Sequence, residues 1–338
     1  MAKIGIVGAS GLVGQEILRS IEILNLKDYI SKLCLYGSPD SVGKIMKCCD
    51  NIYELLPFDN TELNYLNYCI LAVDDKLAKD IIEHAKINNY NCIIIDNSSV
   101  FRLCNDVPLI VPEINSNNLF QSKSTIISNP NCTTIMLVML LNTLRKIKKI
   151  VRVVTSTYQA SSGAGIKGLN ELLLQTKQIS DKTVLTTDFW KKQYALNIFS
   201  HNSSINPKTG FNGEEEKIIN ETHKILNDYT IKISPTCIRV PTLRSHCLSI
   251  NVEFDSEVNL DDIIELLKDA KGIKLFDFPE KNLFPEPVIT EGKTDIFVGR
   301  IRHDIGDKRY WNFFISGDQL LKGAGYNSVQ ILDLMLKN

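Results

Sequence analysis

The amino-acid sequence predicts an α/β protein of two domains: a parallel-sheet domain over residues 1–130 and an α+β domain over residues 131–316. The tail, 317–338, is expected to form a helix that packs back on the first domain. Three observations predict this. The chain opens as strand, glycine turn, helix. Short apolar runs then alternate with helical periodicity to about residue 130, as in a parallel sheet with crossover helices. Beyond that point the strands become longer, β-branched and alternating, which suits a mixed or antiparallel sheet.

In KIGIVGASGLVGQEILRSIEIL, Ile4 to Val7 form a short apolar run. Gly8, Gly11 and Gly14 follow, and Ile17, Leu18 and Ile21 recur at helical spacing. KLCLY, YCILAV and NCIIID read as further buried strands. DKLAKDIIEHAKINN, between the last two, reads as a helix capped by Asp74 or Asp75. Thr125 to Ile127 is strand-like and stops at Asn129-Pro130, and a longer apolar run starts at Ile135. In the second domain IVRVVTSTYQ, YTIKISPTCIRVPT and HCLSINVEFD are the long strands, with GLNELLLQTKQI and NLDDIIELLKDA as helices. GAGYNSVQILDLMLKN is an amphipathic helix after a glycine turn.

A chain of 338 residues, 44% hydrophobic and 23% charged, has an ordinary globular composition. It can bury a large core without disulfides or metals. The 38 basic and 39 acidic residues balance, so nothing supports a general nucleic-acid or membrane-surface role. Nine cysteines form no C-x-x-C pair, and the five histidines show no ligand spacing. Neither a disulfide framework nor a metal site is expected, and a reducing, cytoplasmic setting is the simple reading. The opening MAKIGIVGAS reads directly as a strand, so no signal peptide is expected. The apolar run Ile135 to Leu141 is far too short to span a bilayer.

VGASGLVG lies between a strand and a helix with G-x-x-G-x-x-G spacing. Glycines there let the backbone approach a pyrophosphate, and the helix N-terminus offers N–H groups and positive potential. A plain strand–helix turn is the competing explanation. The pattern points to a Rossmann-type domain, with Gly8, Ser10, Gly11, Leu12, Val13 and Gly14 as candidate contacts. NAD would call for an acid ending the second strand, to hold the ribose 2′-OH. KLCLY instead runs into GSPDSVGK, where Ser38 and Lys44 suit a 2′-phosphate while Asp40 opposes one. NADP is therefore expected over NAD.

Cys132 sits at the turn that opens the helix after Asn129-Pro130. Exposed N–H groups at a helix start favour a thiolate, so this is a place to make a nucleophile; a small buried residue is the alternative. The other eight cysteines read as core. His246 lies just ahead of an alternating strand, with Arg239 seven residues earlier. A histidine so placed is commonly structural.

Taken together, SNPNCTT, TSTYQASSGAG, RVPTLRSH and LLKGAGYNSVQI resemble the aspartate-semialdehyde dehydrogenase family. GASGLVG, IDNSSVFR, VPLIVPEIN and FVGRIR do so too, in family order from residue 4 to about residue 331. The resemblance implies a Rossmann-type NADP-binding domain and an α+β catalytic and dimerisation domain, in a homodimer or tetramer. It implies interconversion of L-β-aspartyl phosphate and L-aspartate 4-semialdehyde with NADPH, releasing phosphate, on the route to lysine (via diaminopimelate), threonine, methionine and isoleucine. Cys132 would be the nucleophile, His246 the general acid/base, and Gln159 the residue orienting a thioester, with Asn131 in the same turn. Arg239 would grip the substrate α-carboxylate and Arg102 the phosphate. In FNGEEEKIINETHKIL, Glu214 and Lys217 match a Glu-x-x-Lys pair for the substrate ammonium and phosphate; without the resemblance they would read as a surface ion pair. Ser162, Gly163, Lys322 and Asn327 would lie by the cofactor.

The chain departs from the family in three cofactor-side elements. AVDDK replaces a small, glycine-rich loop, Gln319 stands where asparagine is usual, and the arginine of the second-strand loop is missing. Two other readings remain: N-acetyl-γ-glutamyl-phosphate reductase, whose substrate has no ammonium for Glu214, and a non-catalytic NADP-binding paralogue.

Overall fold

The structure is a computed structural model describing residues 1–337; Asn338, the last residue of the expected tail helix, lies outside the described residues. The chain divides into two units, one holding Met1–Asn131 and the segment from Gly323 onward, the other Cys132–Lys322. The expected boundary at 316/317 moves to 322/323 for a physical reason. Gly317 ends the Tyr310–Gly317 strand, and Asp318 and Gln319 bond back to Arg244, Ser245 and Ser162 of the second unit.

The first unit is built on a six-stranded sheet. In spatial order its strands are Leu56–Pro57, Ile30–Gly37, Ala2–Val7, Tyr68–Leu71, Ile93–Asp96 and Ile126–Ser128, and every pairing is parallel. A parallel sheet covered on both faces needs nearly continuous apolar strands, which is why IGIV and CIL carry no polar residue. On one face Ile4 and Ile6 pack with Ile17 and Ile21 of the Leu12–Ile23 helix. The tail helix Tyr326–Lys337 adds Val329, Ile331 and Leu332 to that cluster. On the other face Val7, Tyr36 and Leu71 pack with Ile81 and Ile82 of the Asp75–Ile87 helix. Each such side chain, fully buried, stabilises by about 1.5–3 kcal/mol. Asp74 caps that last helix through the Leu77 N–H at 3.0 Å, while Asp75 accepts from the N–H and hydroxyl of Ser99.

The second unit is built on a seven-stranded mixed sheet. Its order is Phe199–Ser200, Lys232–Arg239, Ile150–Gln159, His246–Phe254, Tyr310–Gly317, Ile296–His303 and Ile273–Leu275. Lys232–Arg239 runs parallel to Ile150–Gln159, which runs antiparallel to His246–Phe254. The helix Cys132–Leu144 is apolar nearly all round and is correspondingly buried, packing against the helices Gly213–Leu226 and Leu260–Lys268.

Candidate active site

Three adjacent strands end together. In the parallel register Gln159 pairs with Arg239. On the other side Tyr158 pairs with Cys247, so the same antiparallel register sets His246 beside Gln159. Residues directly opposite in a ladder project to the same face. Arg239, Gln159 and His246 therefore form a row, although they are far apart in sequence.

Gln159 joins that row to the thiol's helix. Its Nε2 donates to Thr133 Oγ1 at 2.6 Å and to Glu214 Oε1 at 3.0 Å. Thr133 follows Cys132, whose Sγ lies 3.8 Å from the same hydroxyl. Gln159 Oε1 is buried with no hydrogen-bond partner among the described residues, an acceptor that awaits a donor. Glu214 is only 6% exposed, and its other oxygen lies 3.6 Å from Lys217 Nζ. The carboxylate end of the pair is thus buried, while the Lys217 side chain remains partly exposed. Glu214 is held there by an N-terminal capping box, in which Asn212 accepts from the Glu214 and Glu215 N–H groups and Glu215 accepts from the Asn212 N–H.

Arg239 is buried, with Nη1 donating to Ala160 O at 3.1 Å and its guanidinium 5.5 Å from the Trp190 ring centre. Its Nη2 lies 2.7 Å from His201 Nε2. His246 is 1% exposed, and the Ala160 N–H donates to its Nδ1 at 3.0 Å. With Nδ1 accepting, a neutral ring carries its proton on Nε2. Burial pushes this histidine down to about 3, and the nearby Arg239 charge pushes the same way, against a smaller opposing effect from Glu214. A Cβ on Gly163 would come within 3.1 Å of His246 Nε2 and 3.2 Å of Arg239 Nη1. Any side chain at this position would crowd both groups.

The loop before His246 is pinned. Ser245 adopts φ 68°, a left-handed conformation unusual for a serine. Its N–H donates to Gln319 Oε1 at 2.8 Å, and Gln319 Nε2 donates to Ser162 Oγ at 2.6 Å. Gln319 thus ties the Ser162–Gly163 loop to the histidine's strand. Arg244 pairs with the fully buried Asp318 at 2.8 Å. Lys322 is fully buried in the same unit.

The first unit holds the remaining expected residues. Gly8 has φ +86°, and a Cβ there would meet Ala72 O at 2.3 Å. A Cβ on Gly14 would meet Gly8 O at 2.3 Å, and one on Gly11 would come within 3.3 Å of the same oxygen. The helix that starts at Leu12 has no side-chain cap, in contrast to the helices capped by Asp74 and Asn212. Its N–H groups, beside Ser10, Leu12 and Val13, suit a phosphate anion. The residues present therefore fit a dinucleotide. Ser38 and Lys44 are exposed, flanking a turn in which Ser38 Oγ donates to Ser41 Oγ. Arg102 is buried and donates to Asn97 O at 2.8 Å. Asn131 is buried where the first unit ends. Asn327 donates its amide to Ile110 O and Asn129 Oδ1, which ties the tail helix into this unit.

Residue patterns do not reveal Thr133, Trp190 or His201. Each depends on strand pairing or on a loop return. Of these only His201 carries a chemically suggestive side chain, and nothing in its flanking SHNSS sets it apart from the other histidines.

Comparison with known proteins agrees with this architecture. The family described as "Semialdehyde dehydrogenase, NAD binding domain" matches residues 3–122, and "Semialdehyde dehydrogenase, dimerisation domain" matches residues 141–322. An aspartate-semialdehyde dehydrogenase of Prochlorococcus marinus is 38% identical over 98% of this chain and 95% of that protein. One from Helicobacter pylori is 36% identical over 99% of each. The crystal structure of aspartate semialdehyde dehydrogenase II from Vibrio cholerae is 30% identical, covers 100% of this chain and 99% of that one, and superposes with a TM-score of 0.93. With both domains matched in order and relatives aligned from end to end, the chain belongs to the aspartate-semialdehyde dehydrogenase family.

Proposed function

We propose that the chain reduces L-β-aspartyl phosphate to L-aspartate 4-semialdehyde with NADPH, releasing phosphate, through a thioester on Cys132. The observation that carries this reading is the Gln159 bridge from the thiol's helix to Glu214, with Arg239 and His246 on its flanks. The substrate offers a carboxylate, an ammonium and a phosphate. Arg239, Glu214, and Lys217 with Arg102 are the matching charges. The Vibrio cholerae aspartate semialdehyde dehydrogenase II has been solved in complex with ASA, which supports the same substrate class.

In this mechanism the Cys132 thiolate attacks the acyl phosphate carbon; the C–S bond forms, the C–O bond to phosphate breaks, and phosphate leaves with the electron pair. Gln159 holds the acyl group through its amide. When bound, the nicotinamide supplies the hydride that reduces the acyl carbon. Nε2–H of His246 then stabilises the oxygen of the Cys132 adduct as charge collects there. Collapse re-forms the carbonyl, breaks the C–S bond and returns the electrons to sulfur. The general acid/base role expected of His246 is carried by its donor side, because Nδ1 is held by the Ala160 N–H.

Gly8, Ser10, Gly11, Leu12, Val13 and Gly14 would hold the pyrophosphate, Ser38 and Lys44 the 2′-phosphate, and Ser162, Gly163, Lys322 and Asn327 the rest of NADP. No acid ends the second strand, which supports NADP over NAD although Asp40 lies in the turn that follows. A homodimer or tetramer is supported by the dimerisation-domain match and by the exposed Ile166, Leu173 and Leu174 on one side of the Gly165–Ser180 helix. On this reading of the reaction the enzyme serves lysine, threonine, methionine and isoleucine synthesis in the cytoplasm; no described helix is long and apolar enough to cross a membrane. The test is phosphate-dependent reduction of NADP and NAD with aspartate semialdehyde. Turnover that ignores phosphate rules out the acyl-phosphate reaction.

A further inference from the structure

We propose that His201 is the positioning residue for Arg239, and that it works because it holds the guanidinium with a neutral acceptor. The inference rests on the reading of Arg239 as the substrate-carboxylate contact.

The placement comes from a two-residue edge strand. Phe199 pairs with Arg239 and Ser200 with Ile238, and the His201 N–H then donates to Cys237 O at 2.8 Å. This carries the imidazole to the arginine, with His201 Nε2 2.7 Å from Arg239 Nη2. A guanidinium can only donate, so Nε2 must accept and the ring proton must sit on Nδ1. Two groups of Ser203 face Nδ1, the hydroxyl at 3.1 Å and the backbone N–H at 3.3 Å. With the shorter 2.7 Å Arg239 contact requiring Nε2 to accept, Nδ1–H donates to the hydroxyl, and the longer N–H contact is not a hydrogen bond in this tautomer. Ser203 Oγ in turn donates to Asn212 Oδ1 at 3.3 Å and accepts from the Glu214 N–H at 3.1 Å. One polar chain thus runs from Arg239 to the cap of the helix that presents Glu214.

The donor count explains why this matters. Arginine has five N–H donors. Nε–H reaches toward Asn202 Oδ1 at 3.5 Å, one Nη1–H goes to Ala160 O and one Nη2–H to His201. One N–H remains on each Nη, the number a carboxylate takes bidentately. A carboxylate in place of His201 would also orient the fork, but it would neutralise the charge that must attract the substrate. A neutral imidazole orients it and leaves the charge intact. Burial, with Arg239 acting the same way, lowers His201 to about 4, so the ring is an acceptor at neutral pH.

The test compares His201→Leu, His201→Gln and His201→Asp with Arg239→Lys in the phosphate-dependent assay, with far-UV circular dichroism to check folding. His201→Leu removes the acceptor, and KM for semialdehyde should rise about tenfold, while KM for NADP and phosphate stay near wild type. His201→Gln keeps a neutral acceptor of similar reach and should restore most of that loss. His201→Asp keeps an acceptor but adds a charge, and should be at least as poor as His201→Leu. A folded His201→Leu enzyme with an unchanged semialdehyde KM overturns the inference, as does an Asp variant as good as Gln. If Arg239→Lys also leaves KM unchanged, the reading of Arg239 fails. If Arg239→Lys raises KM and His201→Leu does not, only the role of His201 fails.

Discussion

The backbone N–H of Ala160 donates to Nδ1 of His246 over 3.0 Å, and this one bond sets which ring nitrogen of a neutral His246 carries the proton. A neutral His246 carries its proton on Nε2, the edge that a side chain at Gly163 would crowd. Ala160 also accepts from Arg239 through its carbonyl. A single peptide residue therefore orients both of the groups proposed to handle the substrate's oxygens.

The burial of His246 should be visible in acid stability. Its ring is lowered to about 3 when folded, whereas an unfolded histidine titrates near about 6.5. Above the unfolded value neither state binds the proton and the group has no effect. As pH falls below it, the unfolded chain binds a proton that the folded one refuses, so stability falls by up to about 1.4 kcal/mol per pH unit. His201, also lowered, acts in the same direction, so His246→Gln should reduce the slope without abolishing it. Urea unfolding at pH 7 and pH 5 measures it; an identical slope in His246→Gln would show that this histidine is not held neutral.

Cys132 should be the only essential thiol. Cys237 and Cys247 are buried, which pushes both thiols up, Cys247 to about 11, and neither is poised as a nucleophile. Cys132→Ser is expected to lose nearly all turnover while keeping its fold and NADPH binding. Cys237→Ser and Cys247→Ser should stay active. Steady-state rates decide the matter, and near wild-type turnover by Cys132→Ser removes the thioester.

Gly14→Ala should damage the cofactor loop. Its Cβ would lie 2.3 Å from Gly8 O and 2.6 Å from Ala9 Cα, backbone atoms that cannot step aside cheaply. A loss of about 1–3 kcal/mol of stability is expected, together with weaker NADPH binding. Gly210→Ala is the control. Nothing lies within 4 Å of its Cβ, but its φ is +76°, so only backbone strain of roughly 1 kcal/mol is expected and NADPH binding should persist. Thermal melts and NADPH fluorescence titration separate the two; equal NADPH affinity in both variants would argue that the loop does not hold the cofactor.

Cofactor choice should depend on Lys44. NADP is expected to be preferred over NAD by at least about tenfold in kcat/KM, equivalent to about 1.4 kcal/mol. A charge-assisted contact to a 2′-phosphate is strong enough to supply this, although Asp40 in the same turn opposes it. Lys44→Ala should weaken use of NADP and leave NAD nearly untouched. Equal losses with both cofactors would take this turn out of the 2′-phosphate site.

Local signals carried much of the molecule. The strand–glycine–helix opening, the helix cap at Asp74 and the long strands ending at Gln159 and Arg239 follow from backbone sterics, capping and side-chain periodicity, which act over a few residues. Cys132 could be picked out because a thiol opening a helix is itself a local pattern. Boundaries were harder. Residues 318 and 319 look like the start of the tail, but their side chains bond to Arg244, Ser245 and Ser162, partners more than 70 positions away.

The sequence by itself determined the parallel α/β opening, the α+β remainder and the glycine loop. Only the tertiary structure decided that Gln159 bridges Thr133 and Glu214, that Ala160 selects the tautomer of His246, and that His201 meets Arg239. The reason is physical. Periodicity and capping are properties of neighbouring residues, whereas strand register is settled by the burial of whole sheets, and a slip of one residue would turn each of these side chains to the opposite face.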